Sequence, residues 1–147
     1  RYLDLWQRAV AGELAPWETS DDGALALVIV LDQFPRNMFR DDIRTYASDH
    51  LARGVAQRAI ERGADARIDG ALREFLYLPF MHSEQLADQE RCVALFESIG
   101  EPDSAKWAKH HADIIRNYGR FPHRNAVLGR PSTAEELEFL KKPGSSF

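Results

Sequence analysis

The sequence predicts an all-α protein, and three observations lead there. Apolar residues recur three and four positions apart from one end of the chain to the other. No stretch alternates apolar and polar residues as a half-buried strand does, and the periodic segments are bounded by capping residues, glycines and prolines. The 147 residues have the length of a single domain, 1–147. A chain of this size buries about two-thirds of the surface that its unfolded form exposes, so one core is expected.

Tyr2, Leu3, Leu5, Trp6, Ala9 and Val10 form the apolar stripe of a first helix that ends near Gly12 to Pro16. The second, in SDDGALALVIVLDQF, takes Ser20 or Asp21 as its cap and Pro35 as its terminator. Its nearly unbroken apolar run, residues 24–31, marks it as the most buried. A third runs from about Thr45 to Arg62 and closes at Gly63, a residue free to take the positive φ that ends many helices. Asp69 caps a fourth, GALREFLYL. Pro79 is expected to break or kink it, because proline lacks a backbone donor and clashes with the preceding turn. A fifth covers roughly Ser83 to Ile99, and a sixth starts with Pro102 in the favoured first position and ends at Tyr118-Gly119. Ser132 and Glu135, three apart, predict a capping box that opens a short seventh helix. About seven helices joined by short turns pack as antiparallel neighbours, either in a closed bundle or in a curved stack of helical hairpins.

Composition narrows function by exclusion. A net charge of −4 provides no basic face for nucleic acid, and the longest apolar run, ALALVIVL, is too short to span a bilayer, so neither nucleic acid nor membrane is an expected partner. The single Cys92, in ERCVALF, reads as a small buried hydrophobe, and a lone cysteine fits a reducing cytoplasm. No metal site and no cofactor are expected. The chain has no Glu-x-x-His pair, HExxH motif, P-loop, G-x-S-x-G elbow or dinucleotide fingerprint. Of 19 basic residues only Lys106, Lys109, Lys141 and Lys142 are lysine, and the arginines that remain carry the planar fork that suits carboxylates and phosphates.

Polar side chains gather at the predicted helix ends. In DQFPRN, Asp32 and Gln33 fall in the last turn of an apolar helix, where a carboxylate beside free carbonyls requires compensation. Arg36 can supply it locally; alternatively Asp32, Arg36 and Asn37 face a groove. In FMHSE, Ser83 is a plausible N-cap, and His82 and Glu84 lie beside a fresh helix start, where free amides favour the carboxylate. The two side chains are either cap and surface groups or parts of a proton-transfer pair. In HHADIIRNYGRFPHRN, Trp107, His111, Ile114, Ile115 and Tyr118 form an inward stripe that makes His111 the core-facing histidine, either as a satisfied core group or as a catalyst. Beyond it, Arg120, His123, Arg124 and Asn125 form a dense cationic loop that suits a phosphate or carboxylate, or solvent alone.

LDQFPRNMFR, FLYLPFMHSEQLADQERCVALFE and HADIIRNYGRFPHRNAVLGRPSTAEELEFLKKPGSSF together resemble the bacterial family called domain of unknown function 924, over nearly the whole chain from about Gly12 onward. The resemblance implies a right-handed stack of α-hairpins of tetratricopeptide-like class and a further N-terminal segment rich in Trp and Phe that precedes the part seen here. It carries no reaction. The family's recurring polar residues map onto Asp32, Gln33, Arg36, Asn37, His82, Ser83, Glu84, His111, Arg120, His123, Arg124 and Asn125, whereas His110 does not fit the pattern.

Two functions follow as expectations. One is a small-molecule anion site lined by Arg36, Arg124 and Arg120, with His82, Glu84 and His111 as the catalytic candidates and Asp32, Gln33, Asn37 and Asn125 beside them. The other is a helical-repeat scaffold for a peptide or protein partner, or for a second copy in a homo-oligomer. A compact convergent cavity favours the first and a long apolar groove the second.

Overall fold

The computed structural model describes residues 1–147 and contains helices and turns without any strand. Nine α-helices form rather than about seven: α1 (Tyr2–Val10), α2 (Asp21–Met38), α3 (Asp49–Glu61), α4 (Ala64–Arg67), α5 (Gly70–Met81), α6 (Leu86–Ser98), α7 (Pro102–Tyr118), α8 (Asn125–Leu128) and α9 (Ala134–Leu140). The count differs because two segments read as loop, α4 and α8, each close a single helical turn. The helix expected from Thr45 also splits. Ile43–Tyr46 is a 3₁₀ turn capped by the Asp42 side chain, and α3 starts only at Asp49.

Ser20 caps α2 as expected, its hydroxyl accepting from the Gly23 amide at 3.0 Å. Here only glycine serves: an added Cβ at position 23 would lie 2.0 Å from the Trp17 carbonyl oxygen, which the 3₁₀ turn Ala15–Thr19 presses against the helix start. The capping box of α9 falls one residue later than the sequence suggests. Thr133 and Glu136 form it, while Ser132 bonds the Asn125 amide at 3.0 Å.

Neither internal proline stops its helix at once. α2 continues through Pro35 to Met38, and α5 through Pro79 to Met81. A proline withholds the amide that would bond the carbonyl four residues earlier. For Pro35 that carbonyl belongs to Leu31, and the Ser48 hydroxyl donates to it at 2.6 Å while accepting the Trp6 indole N–H at 2.9 Å. A side chain just before α3 thus satisfies the acceptor that the proline leaves open. Past Pro79 the chain does break, but three residues later, at His82–Gln85; Phe80 and Met81 turn into the core.

α2 is the central helix, packed against α1, α3 and α5, and α6 and α7 extend the arrangement from α5. Its Ala24, Leu25, Leu27, Val28, Val30 and Leu31 join a core of 24 buried residues; Ile114, Ile115 and Phe121 form a smaller cluster beneath the C-terminal segment. Cys92 is fully buried, and burial pushes its thiol up to about 12, so it is an inert hydrophobe. Trp107 does not share the inward face of α7 with His111, Ile114 and Ile115; it is exposed. No helix is long and apolar enough to cross a membrane.

Candidate functional site

The end of α2, the turn Ile43–Tyr46, the break after α5, the middle of α7 and the FPHRN corner surround one cavity of about 630 Å³. Five of the residues singled out in the sequence, Arg36, His82, His111, His123 and Arg124, line it. Each is fixed by a different local device.

Asp32 lies behind this wall, 1% exposed, and has three polar neighbours. His82 Nδ1 approaches Oδ1 at 2.7 Å, the Gln33 amide donates to Oδ2 at 2.6 Å, and the Arg36 guanidinium stands 3.6 Å away. Burial works to raise the Asp32 pKa, but the His82 charge and hydrogen bond, Arg36 and Gln33 outweigh it and hold the carboxyl below its ordinary value. An ionised Asp32 makes Nδ1 the donor. His82 is thereby fixed in orientation, and its Nε2, which has no protein partner, is the ring nitrogen left over. The expected proton-transfer partner of His82, Glu84, is not in contact with it. Glu84 instead accepts both arms of Arg130 at 2.9 and 3.0 Å and the Phe121 amide at 2.7 Å, bonds that lower its pKa against the effect of burial. Its carboxylate ties the FPHRN corner to the α5–α6 break, and Glu84 lines an adjoining cavity of about 260 Å³ that shares Tyr46, His82 and Arg124 with the first.

Arg36 is already spoken for. It forks onto Asp49 at 2.7 and 2.9 Å and donates to the Asp32 carbonyl at 2.8 Å; burial opposes its charge, and the two acids more than restore it. Arg124 differs. The sequence suggests an exposed loop arginine, yet it is 6% exposed, with its guanidinium 4.2 Å from the Tyr46 ring centre and 4.8 Å from that of Phe121. Its only side-chain hydrogen bond runs from Nη2 to the His82 carbonyl at 2.8 Å, no carboxylate lies within ion-pair distance, and its buried Nε has no partner at all. Burial lowers its pKa.

His111 and His123 complete the wall. Burial pushes both down to about 4, with neighbouring positive charges adding to the effect, so both are neutral near pH 7. His111 donates from Nδ1 to the Trp107 carbonyl at 2.8 Å, the bond that the i−4 carbonyl of its own helix offers. The buried Nδ1 of His123 has no partner. The Phe147 ring closes this side, 4.0 Å from the His111 ring and 4.4 Å from that of His123.

The other singled-out residues do not line the cavity. Gln33 acts through Asp32; Asn37 is exposed and donates to its own helix at the Gln33 carbonyl, 3.3 Å. Arg120 forks onto Glu136 at 2.7 and 2.9 Å, and buried Asn125 bridges Ser132 and Arg130. Sequence reasoning missed Asp49, Arg130, Tyr46 and Phe147. Tyr46 was hidden by the expectation of a helix from Thr45, and Asp49 shows only as an acid in the first turn of α3. Arg40 and Asp41 also border the cavity; Asp41 is the one non-glycine residue with positive φ, 57°. No group of three or more His, Cys, Asp or Glu side chains is arranged to hold a metal ion.

The description "bacterial protein of unknown function (DUF924)" matches residues 1–144. A solved structure of a protein of unknown function from Agrobacterium tumefaciens is similar at 43% identity and a TM-score of 0.92, over 96% of this chain and 80% of that one. No curated protein matches the chain. With its helices, its polar break at MHSE and its FPHRN corner all inside the matched span, the chain belongs to the DUF924 family of bacterial proteins.

Proposed function

We propose that the cavity of about 630 Å³ binds a small anionic molecule, with Arg124 as its principal contact. One observation carries this reading. Arg124 is a buried guanidinium in the cavity wall, without a carboxylate partner and with an unpartnered Nε, and burying such a charge is costly unless something pairs with it. Arg40 adds a second cation at the rim, whereas Arg36 is neutralised by Asp49 and frames the wall. His82, oriented by Asp32, is the group best placed to exchange a proton with whatever binds. Within the same proposal the carrier is one all-α domain, and the successive packed pairs α2–α3, α5–α6 and α6–α7 support a tetratricopeptide-like hairpin array. The lone buried cysteine supports a reducing compartment such as the cytoplasm.

The test compares the wild type with Arg124→Gln in thermal melts with inorganic phosphate and with acetate. An anion present at one hundred times its dissociation constant stabilises the wild type by about 2.7 kcal/mol, and the variant is expected to lose that shift. If the variant keeps the full anion shift, Arg124 does not hold the anion and the reading falls.

A further inference from the structure

Two imidazoles in the cavity wall are locked in the same tautomer. His111 Nδ1 faces the Trp107 carbonyl at 2.8 Å, and a carbonyl only accepts, so Nδ1 carries the proton. His82 Nδ1 faces the ionised Asp32 at 2.7 Å, with the same result. In a neutral imidazole, one nitrogen donates and the other accepts. Each ring therefore leaves an Nε2 with no protein partner at the cavity that both residues line; in neutral His111 it is a lone pair, and in His82 it is one whenever that ring is neutral. Such nitrogens offer nothing to an anionic oxygen, which needs donors. They suit a hydroxyl hydrogen.

The geometry points to a ligand that is a small anion bearing hydroxyl groups, a hydroxy acid or a polyol phosphate, whose charged end meets Arg124 and whose hydroxyls donate to Nε2 of His82 and His111. This rests on the anion-site reading above and specifies the rest of the ligand. The low His111 pKa, about 4, keeps that lone pair available at neutral pH. The partition is spatially consistent, since Arg124 bonds the His82 backbone carbonyl and both side chains line the same cavity. An anion without hydroxyls leaves these nitrogens dry and unpaired on binding, and a site built to bond a hydroxyl discriminates against the analogue lacking it.

The experiment measures the affinity of the full chain at pH 8, above the ordinary histidine range, for two matched pairs: glycolate against acetate, and glycerol 3-phosphate against ethyl phosphate. Within at least one pair the hydroxylated member is expected to bind about 5- to 150-fold more tightly, the ratio that one lost hydrogen bond with a buried partner left open produces. The pair that shows it decides between carboxylate and phosphate. His111→Phe should reduce that ratio toward one without abolishing binding of the deoxy anion, and a melt without ligand checks that the variant is folded. A second readout needs no variant: two-bond ¹H–¹⁵N correlation spectra should show both rings as Nδ1–H tautomers, with Nε2 resonances that move on adding glycerol 3-phosphate or glycolate but not ethyl phosphate or acetate. Equal affinities within both pairs, or Nε2 signals indifferent to the hydroxyl, overturn the inference while leaving the anion site standing. Failure of all four probes to bind overturns the anion site itself.

Discussion

The corners FPRN at 34–37 and FPHRN at 121–125 hold the same residue types and do opposite things. In the first, the helix runs through its proline, Arg36 is clamped by two buried acids, and Asn37 sits exposed on the surface. In the second, a 3₁₀ turn leads into a single helical turn, Arg124 lies between two aromatic rings without an acid, and Asn125 is buried in a polar network. What separates them is whether the arginine's charge is answered from within the chain. The first corner is a wall in which the electrostatics are closed, and the second holds an open valence. Local composition does not reveal which is which, because the deciding partners, Asp49 for Arg36 and Tyr46 for Arg124, lie on other elements.

The comparison is most exposed to failure in the two arginines. Arg36→Ala leaves Asp49, whose side chain is 7% exposed, without its cation and removes the more distant of two cationic neighbours from Asp32, and a loss of about 3 to 5 kcal/mol is expected. Arg124→Ala strands no acid and forfeits one hydrogen bond and its ring contacts, so about 1 to 2 kcal/mol is expected. Equal losses in urea denaturation would erase the distinction between closed and open corners.

Acid separates the corners next. His123 in the second corner, and His111 of α7 packed against its Phe121, have folded pKa values near 4 against an ordinary 6.5. Their folded values are depressed, so the unfolded chain binds more protons between those limits. Their contribution is complete above about pH 6.5 and is lost as pH falls toward 4, on the order of 3 kcal/mol for each fully buried ring and roughly 4 to 6 kcal/mol for the two together. Asp32, at the first corner, is a depressed carboxylate, and its contribution persists to lower pH and fades only as pH falls through its lowered folded value. Urea midpoints measured from pH 7 to 4 should therefore decline in the wild type and decline less in His123→Gln. A flat wild-type profile over that range contradicts the neutral, buried state of the two rings.

The asparagines give the smallest effect. Asn125→Ala opens the Ser132 and Arg130 bonds in a buried setting and should cost about 1 to 3 kcal/mol. Asn37→Ala, on an exposed surface, should stay within about 0.5 kcal/mol. Indistinguishable thermal melts for the two variants would mean that the buried network adds nothing.

The helices were legible because their signals are local. The apolar stripe of α2, the Ser20 cap and the stop at Gly119 each require only a few neighbouring residues. The errors have the opposite character. Pro35 looks like a stop until Ser48, thirteen residues away, is seen to fill the vacancy, and the turn at Tyr46 depends on Thr45 reaching the Phe39 carbonyl. The site divides in the same way. His82, Arg124 and His111 could be picked out as polar groups at helix ends, but assigning His82 to Asp32 and Glu84 to Arg130 depends on packing across 50 and 46 residues of sequence. Spacing in the chain brought His82 and Glu84 together; in the fold each takes a different partner, Asp32 and Arg130.

The relay from Trp6 through Ser48 to the Leu31 carbonyl ties together positions that a mutational path must visit in a definite order. With Pro35 present, replacing Ser48 by alanine strands a buried carbonyl and a buried indole N–H, and the intermediate is penalised twice. If Pro35 is first exchanged for a residue with an amide, the helix can supply its own donor to Leu31, and the later loss of Ser48 leaves only the indole unsatisfied. The same two substitutions thus cross a deep valley by one route and a shallow one by the other. Proline acts here as a lock on its distant serine, and the serine is free to drift only after the proline has gone.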